Sequence, residues 1–394
     1  IPGLAAQQRA NWYKTNGGLQ NEYFDMDNEA FSIFAQLDYD ITSATSISLG
    51  ISYSSDEKEV VSNVIIDDEF AAIPFILNPA TAALTGFQFF PQFFNYPNAN
   101  EDGKWKSDDV THSIKLIHEF DDTLSAYISH STGFKAISTN LGANATVYAG
   151  LPMDPSIYFA EPEEAENWEI GIKKTFSNGY LNMSFFHMAV EGYQSNLFIG
   201  TGFNLVNIGE ETHKGIEIDS LFFLSENFVL TFAASYIDAI FDDFKNGPCD
   251  RTFVPPASDD CPIVNGGPAR VKDFTGRTPS GVPELAITVS GTYTFNLTEN
   301  MTGYVRGEYI YEDAYQATDA VPIEVPNALR QVGTLNASLG VKDSASGFSV
   351  MLWGRNINDD EYIYTGFNVP GSPGSYAGYP VVPKMWGLTL SRDF

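Results

Sequence analysis

Single-residue alternation of apolar and polar side chains is the feature that most constrains this fold. In FSIFAQLDYDI, Leu37 and Ile41 fall on one side of an extended strand, whereas Asp38 and Asp40 fall on the other. Successive strand residues face opposite sides of a sheet, so this period of two indicates strands that are apolar on one face only. About thirteen such segments follow one another from residue 31 to residue 394, each about long enough to cross a membrane when tilted. The pattern predicts an all-β chain, an antiparallel meander of about thirteen strands.

The connections between these segments alternate strictly between short and long. Short turns are expected at 42–45, 121–123, 177–179, 224–227, 296–300 and 343–347, and long loops at 59–106, 136–162, 243–282 and 361–380. Neither a soluble sandwich nor a propeller needs to keep all its long loops at one end, whereas transmembrane barrels have short turns on one side of the membrane and long loops on the other. The alternation therefore favours an antiparallel transmembrane β-barrel.

Composition excludes two other classes of protein. The net charge is -29, with 50 acidic and 21 basic residues, so no basic stripe is present to neutralise the phosphates of a nucleic acid. The longest uncharged segment, 70–100, is interrupted by Pro74, Pro79, Pro91 and Pro97. Proline breaks a helix, so we interpret this segment as a loop rather than a membrane-spanning helix.

Motifs for catalysis and for metal binding are missing from the sequence. There is no H-x-x-x-H pair, no G-x-S-x-G elbow and no glycine-rich phosphate loop. The acidic clusters at 67–69, 242–243 and 359–361 lack the ligand spacing of an EF-hand. The histidines fall singly on predicted strands, at His112, His118, His130, His187 and His213. We therefore predict no catalytic residues, no metal site and no cofactor.

Five segments, in this order, resemble the C-terminal half of TonB-dependent receptors of the bacterial outer membrane. They are YISHSTGFKA, EPEEAENWEIGIKKTFSNGYLNMSFFHMAVEGYQ, NIGEETHKGIEIDS, LWGRNINDDEY and WGLTLSRDF. The resemblance implies a barrel of 22 strands in the outer membrane of a Gram-negative bacterium, preceded by a plug. Residues 1–394 are then expected to form an incomplete receptor barrel domain without the plug and the first strands. The odd number of predicted strands agrees, because single-chain bacterial barrels have even numbers.

The resemblance also implies function and partners. Such a receptor takes up a scarce small molecule, such as an iron-siderophore or an oligosaccharide, by active transport driven through the TonB complex, which acts on the plug. The other expected partners are outer-membrane lipid, lipopolysaccharide and the barrel assembly machinery, which reads a terminal residue like Phe394. A passive porin and a surface adhesin are the alternatives, because fold alone does not determine function.

Alternation assigns side chains to the two faces of the barrel wall. The residues expected to face lipid are Leu37, Ile47, Leu49, Ile51, Ile170, Ile172, Ile216, Ile218, Leu285, Ile287, Val289, Val350, Leu352, Leu388 and Leu390. Charged residues expected to line the lumen are Lys135, Glu169, Lys173, Glu217, Asp219, Arg306, Glu308 and Arg355, and Asp38, Ser129 and Thr288 are expected to face the same way. Aromatic residues near strand ends, Tyr53, Trp168, Tyr311 and Trp353, are interpreted as an interface girdle.

An aromatic segment in the first long loop is a candidate ligand-binding site. Its rings are Phe87, Phe89, Phe90, Phe93, Phe94 and Tyr96. Stacking surfaces of this kind suit sugars, aromatic groups and catecholate chelates. Packing of the loop on its neighbours is the competing interpretation.

The only two cysteines, Cys249 and Cys261, lie twelve positions apart in one long loop. Two cysteines are too few for a structural metal site, which uses four ligands, so we predict a disulfide. It would form in the oxidising periplasm on the route to the cell surface. Thiol labelling of the unreduced, denatured protein tests this: we expect no reactive thiol, and two per chain would show that the bridge is not formed.

Overall fold

The computed structural model describes residues 19–67, 78–81, 102–141, 159–199, 202–245, 247–248, 271–318, 325, 328–369 and 375–393. Every regular element in these ranges is a β-strand. In chain order they are β1 (Leu19–Thr42), β2 (Thr45–Asp67), β3 (Gly103–Asp121), β4 (Leu124–Lys135), β5 (Ser138–Thr139), β6 (Phe159–Ala160), β7 (Glu163–Phe176), β8 (Gly179–Glu191), β9 (Gln194–Ile199), β10 (Gly202–Asn207), β11 (Glu210–Ser225), β12 (Phe228–Asp243), β13 (Gly247–Pro248), β14 (Val271–Lys272), β15 (Leu285–Asn296), β16 (Met301–Gln316), β17 (Leu329–Asp343), β18 (Phe348–Arg355), β19 (Ile363–Asn368), β20 (Tyr376–Pro380) and β21 (Met385–Arg392).

Thirteen of these strands form one antiparallel sheet. Its order is β1-β2-β3-β4-β7-β8-β11-β12-β15-β16-β17-β18-β21, so strands of the meander pair in chain order. The predicted fold, a meander of about thirteen strands, is confirmed. Within the described ranges β1 and β21 stand at the two ends of the sheet and each pairs with one neighbour. In these ranges β1 and β21 do not pair with each other.

The pairing register separates an apolar face from a polar face. Cross-strand partners lie on the same face, and one continuous row reads Ile47, Leu116, Ile128, Ile170, Phe185, Ile216 and Tyr236. The fifteen residues expected to face lipid all lie on this apolar face, and Leu390, for example, is 70% exposed. A neighbouring row on the other face reads Ser125, Lys173, Asn182 and Asp219. The polar face is concave, because residues from β4 to β15, Tyr127, Lys173, Glu217 and Asp219 of this face among them, line an open cavity.

The short turns are stabilised by aspartate side chains. Thr123 donates from its backbone nitrogen and its hydroxyl to Asp121 Oδ1, at 2.7 and 2.5 Å. These hydrogen bonds favour the carboxylate and hold the pKa of Asp121 below its usual value. Asp343 accepts in the same way from Ser346 Oγ at 2.6 Å and from the Ala345 nitrogen at 3.0 Å, and its pKa is lowered for the same reason. Such Asx turns set the register of the strands that they connect.

The register corrects one residue of the predicted aromatic girdle. Tyr53, Trp168 and Tyr311 lie on the apolar face, but Trp353 pairs with Ser338 and Gly387 on the polar face. Its Nε1 donates to Thr389 Oγ1 at 3.1 Å. The prediction was wrong because it used only distance from the strand end, whereas alternation with the outward Leu352 requires Trp353 to face inward.

Short hairpins within the long loops add a layer that the sequence did not predict. Pairs form between β5 and β6, β9 and β10, β13 and β14, and β19 and β20. A small apolar core packs at this end of the sheet, formed by Ile208, Phe241, Phe244 and Phe274 with Tyr193 and Val206 against it. In the part of the chain that the structure describes, no helix is long and apolar enough to span a membrane.

Candidate functional site

All eight charged residues that were expected to line a lumen lie on the concave polar face. Three of them, Lys173, Glu217 and Asp219, line a cavity of about 360 Å³ together with Tyr127 and Asn182. Nearby, Tyr127 donates a short hydrogen bond to Glu169. Acidic, basic and amide groups thus converge at the centre of the wall, where they can bind a polar protein segment or a hydrated solute.

The other four charged residues are partnered within the wall rather than brought to this cavity. Arg306 Nη2 lies 2.8 Å from Glu308 Oε2, and Lys135 Nζ lies 3.4 Å from Glu163 Oε2. The Arg355 guanidinium lies 5.3 Å from the Trp353 ring centroid. These pairs satisfy charges that face a concave surface.

A second polar cluster lies at the long-loop end of the same face. Arg330 on β17 pairs with Glu312 on β16, with 3.0 Å between Nη2 and Oε2. Three rings surround its guanidinium, with centroids at 5.6 Å for Tyr315, 5.3 Å for Tyr362 and 4.9 Å for Tyr364. Only 17% of the Arg330 side chain is exposed. We call these five residues the Arg330 cluster.

Two features of the Arg330 cluster suit it to bind an anion. Its Nε is buried and has no hydrogen-bond partner among the described residues. A buried N–H without an acceptor is costly, so a ligand oxygen at this position is favoured. Tyr315 donates to Glu312 Oε2 at 2.8 Å; burial raises the pKa of Tyr315, and the neighbouring Glu312 raises it further. The phenol therefore stays protonated and keeps this hydrogen bond at physiological pH.

Side chains of the segment after β18 form hydrogen bonds to the backbone of β17 next to the Arg330 cluster. Asn358 accepts from the Leu335 nitrogen at 2.9 Å and donates to the Gly333 oxygen at 2.7 Å. Asp360 Oδ2 accepts from the Gly333 nitrogen at 2.7 Å. β18 pairs with β17 only over Ala337–Lys342, so these side chains supply hydrogen-bond partners for Gly333 and Leu335 where no strand does. The segment LWGRNINDDEY, one of the five that resemble TonB-dependent receptors, therefore has a structural role beside the Arg330 cluster.

A family model described as "TonB dependent receptor-like, beta-barrel" matches residues 4–357. The chain belongs to the TonB-dependent receptor family. Members of this family are β-barrel proteins of the Gram-negative outer membrane and act as transporters, not enzymes. The exposed apolar face of this TonB-dependent receptor barrel agrees with that location. No curated protein shows a significant match.

Solved receptor structures share the fold at low sequence identity. The ferric yersiniabactin uptake receptor FyuA from Yersinia pestis has a TM-score of 0.67 and 15% identity over 95% of this chain and 47% of its own. The siderophore receptor PiuA from Acinetobacter baumannii has a TM-score of 0.60 and 16% identity over 93% of this chain and 43% of its own. The ferric-catecholate import receptor Fiu from E. coli K12, in its closed form, has a TM-score of 0.60 and 15% identity over 93% of this chain and 45% of its own. The chain spans less than half the length of each receptor.

Several expected site residues of this TonB-dependent receptor lie outside the described residues. They are Phe87, Phe89, Phe90, Phe93, Phe94, Tyr96, Cys249, Cys261 and Phe394. Sequence reasoning missed the Arg330 cluster, because its members come from β16, β17 and the segment 362–364 at the start of β19, which loops separate. The histidines were considered strand by strand, so the contact between His112 on β3 and His130 on β4 was also missed. The hairpin turn between those strands was the signal that predicts this proximity.

Proposed function

We propose that this chain is the barrel part of an outer-membrane receptor that takes up a scarce small molecule by TonB-dependent active transport. Family membership supports the receptor class. The names of FyuA, PiuA and Fiu support a ferric chelate as the cargo, while their 15–16% identity to this chain supports the shared fold alone. The polar concave wall would hold the plug on which the TonB complex acts. Residues 1–394 would then be one incomplete barrel domain.

The single observation that carries the ligand class is the Arg330 cluster. A guanidinium is always charged, is planar and is weakly hydrated, so it binds carboxylate and catecholate oxygens in a fixed geometry. The three tyrosine rings add surfaces for aromatic groups. An anionic chelate with aromatic rings satisfies both features, whereas a neutral oligosaccharide would use only the rings. We therefore favour an anionic ferric chelate as the ligand.

Further contacts belong to the same proposal. Outer-membrane lipid and lipopolysaccharide would surround the apolar face. The assembly machinery would read the last strand, whose apolar face carries Trp386, Leu388 and Leu390, and the terminal Phe394 that follows it in the sequence. The aromatic segment 87–96 would add ligand contacts from the first long loop.

Uptake of radioactive iron tests the function directly. Cells that rely on this receptor are supplied with an iron complex of a catecholate chelator, with the TonB complex intact or removed. We expect accumulation only when both the receptor and TonB are present. Uptake that persists without TonB would instead support the alternative of a passive porin, and binding without any uptake would support an adhesin.

Removing the charge of Arg330 should weaken ligand binding. We expect Arg330→Gln to lower the affinity for an anionic ferric chelate about tenfold, equivalent to one lost charge-assisted hydrogen bond of about 1.4 kcal/mol. Fluorescence quenching of the purified receptor by the ferric chelate measures the dissociation constant. Thermal unfolding of the same samples shows whether the variant remains folded.

Arg277 provides the matched control. It also lies at the long-loop end and its guanidinium stacks on a ring, 4.6 Å from the Phe274 centroid, but it is exposed. Arg277→Gln should leave the affinity unchanged. Equal losses in the two variants would assign the effect to net charge and contradict a site at Arg330. Arg330→Gln leaves the Glu312 carboxylate without its partner, and the double variant Glu312→Gln with Arg330→Gln removes that charge. The double variant should bind the ferric chelate as weakly as Arg330→Gln.

A further inference from the structure

Two histidines meet on the apolar face, toward the long-loop end of β3 and β4. His112 and His130 lie on the same face as Ile114 and Ile128, because each is an even number of residues away along its strand. His130 pairs directly with Ile114, and His112 faces Thr132, one step beyond the last pair Ser113–Ser131. The two imidazoles are therefore diagonal neighbours on the surface opposite the polar wall.

Hydrogen bonds connect the two histidines and their neighbours into one continuous network. His112 Nε2 lies 3.1 Å from His130 Nδ1, and His130 Nε2 lies 2.9 Å from Glu166 Oε1. At the other end, Thr132 Oγ1 lies 3.3 Å from His112 Nδ1 and accepts from the His112 backbone nitrogen at 3.0 Å. Trp168 Nε1 also donates to Glu166 Oε1, at 3.1 Å. Each outer ring nitrogen thus has a polar partner, and the two inner nitrogens point at each other.

This arrangement matches the requirements of a metal-binding histidine pair. Two nitrogens bound at 2.0–2.1 Å to a tetrahedral ion lie about 3.3 Å apart, close to the 3.1 Å observed between His112 Nε2 and His130 Nδ1. A metal-binding histidine donates its other N–H to a carboxylate or another oxygen. Glu166 provides that acceptor for His130, and Thr132 provides it for His112.

We propose that His112 and His130 together bind one divalent transition-metal ion on the outer surface of the barrel. Binding requires both inner nitrogens to present lone pairs. His130 keeps its proton on Nε2, toward Glu166, whereas the His112 proton moves from Nε2 to Nδ1, where Thr132 Oγ1 accepts it. Water completes the coordination, since no group of three or more His, Cys, Asp or Glu converges among the described residues.

Imidazole ligands decide which ions the pair takes. Neutral imidazole suits Cu²⁺, Ni²⁺ and Zn²⁺, and affinity in such sites is highest for Cu²⁺. Mg²⁺ and Ca²⁺ prefer oxygen ligands and should not bind here. Beside the pair lie Glu166, whose side chain is 56% exposed, and Trp168, a residue type that favours the membrane interface.

Copper binding by the purified protein in detergent tests the proposal. Cu²⁺ is titrated into the protein, and the bound ion is examined by electron paramagnetic resonance for coupling to nitrogen. We expect one ion per chain coupled to two imidazole nitrogens. His112→Ala and His130→Ala should each lose that signal, and Glu166→Gln should weaken the affinity about tenfold as the His130 hydrogen bond loses its charge.

His118 on β3 and His187 on β8 provide matched controls, because both lie on the apolar face and neither contacts a second histidine among the described residues. His118→Ala and His187→Ala should bind copper like the unchanged protein. If His112→Ala and His130→Ala also bind normally, or if the bound ion couples to one nitrogen only, the proposal is overturned. Circular dichroism of each variant confirms that the strands are retained, so lost binding is not lost folding.

Discussion

Ile128→Lys is expected to destabilise the membrane-inserted barrel by about 2–4 kcal/mol, the cost of a cation on the lipid face near mid-bilayer. Ile128 is 44% exposed on the apolar face and pairs with Leu116 and Ile170. It is the fifth residue of β4, and a tilted strand crosses the bilayer in about 9–11 residues. The free energy of unfolding is measured by denaturant titration of protein folded into lipid vesicles.

Ser129→Lys is the control, because it introduces the same charge one residue further along the strand. Ser129 lies on the polar face and pairs with Glu169, which can partner the new ammonium. We expect a change below about 1 kcal/mol, within the range of exposed ion pairs. Equal costs for the two variants would contradict the assignment of the apolar face to lipid.

Asn356→Ala is expected to cost about 3 kcal/mol, because it leaves several buried polar groups without partners. Asn356 is 4% exposed. Its side chain donates to the Asp360 and Val382 oxygens at 2.9 and 3.2 Å and accepts from the Asp360 nitrogen at 2.7 Å. Its φ of 49° lies in the left-handed region, which asparagine tolerates better than alanine. The same vesicle titration measures the loss.

Asn356→Gly separates the two causes. Glycine removes the side-chain hydrogen bonds but adopts a positive φ without strain. We expect most of the loss to remain in Asn356→Gly, and Asn358→Ala to cost less because Asn358 is more exposed. A fully stable Asn356→Gly would show that backbone strain, and not hydrogen bonding, limits this position.

The sheet was predictable because alternation and turn chemistry act locally. NWEIGIKKTF gave both the existence of β7 and the face of each side chain, since Ile170 and Ile172 alternate with charged or small residues. The length of β1 was not predictable in this way. It begins at Leu19, twelve residues before the predicted segment at Phe31, where the alternation is lost although the strand pairs with β2. Strands that project beyond the bilayer contact water on both faces, so no apolar face marks them.

From the sequence, only the face on which each residue of the candidate site lies could be predicted, because alternation acts within one strand. Alternation placed Glu217 and Asp219 on the polar face, but their approach to Lys173 depends on the register of three strands. Arg330 meets Tyr362 and Tyr364 across a loop, and no local rule sets that distance. In contrast, the tight turn at 121–124 fixes the pairing of β3 with β4, so the contact between His112 and His130 can be predicted from their distances in sequence from the turn.

One buried amide connects loops that the sequence treats as separate. Gln194, 6% exposed, donates to the Ala136 and Glu161 oxygens at 3.0 and 2.9 Å and accepts from Ser138 Oγ at 2.8 Å. The connection from β4 to β7 is thereby fastened to the one from β8 to β11. A molecule that displaces Ala136 or Glu161 must therefore either move Gln194 with them or break its hydrogen bonds.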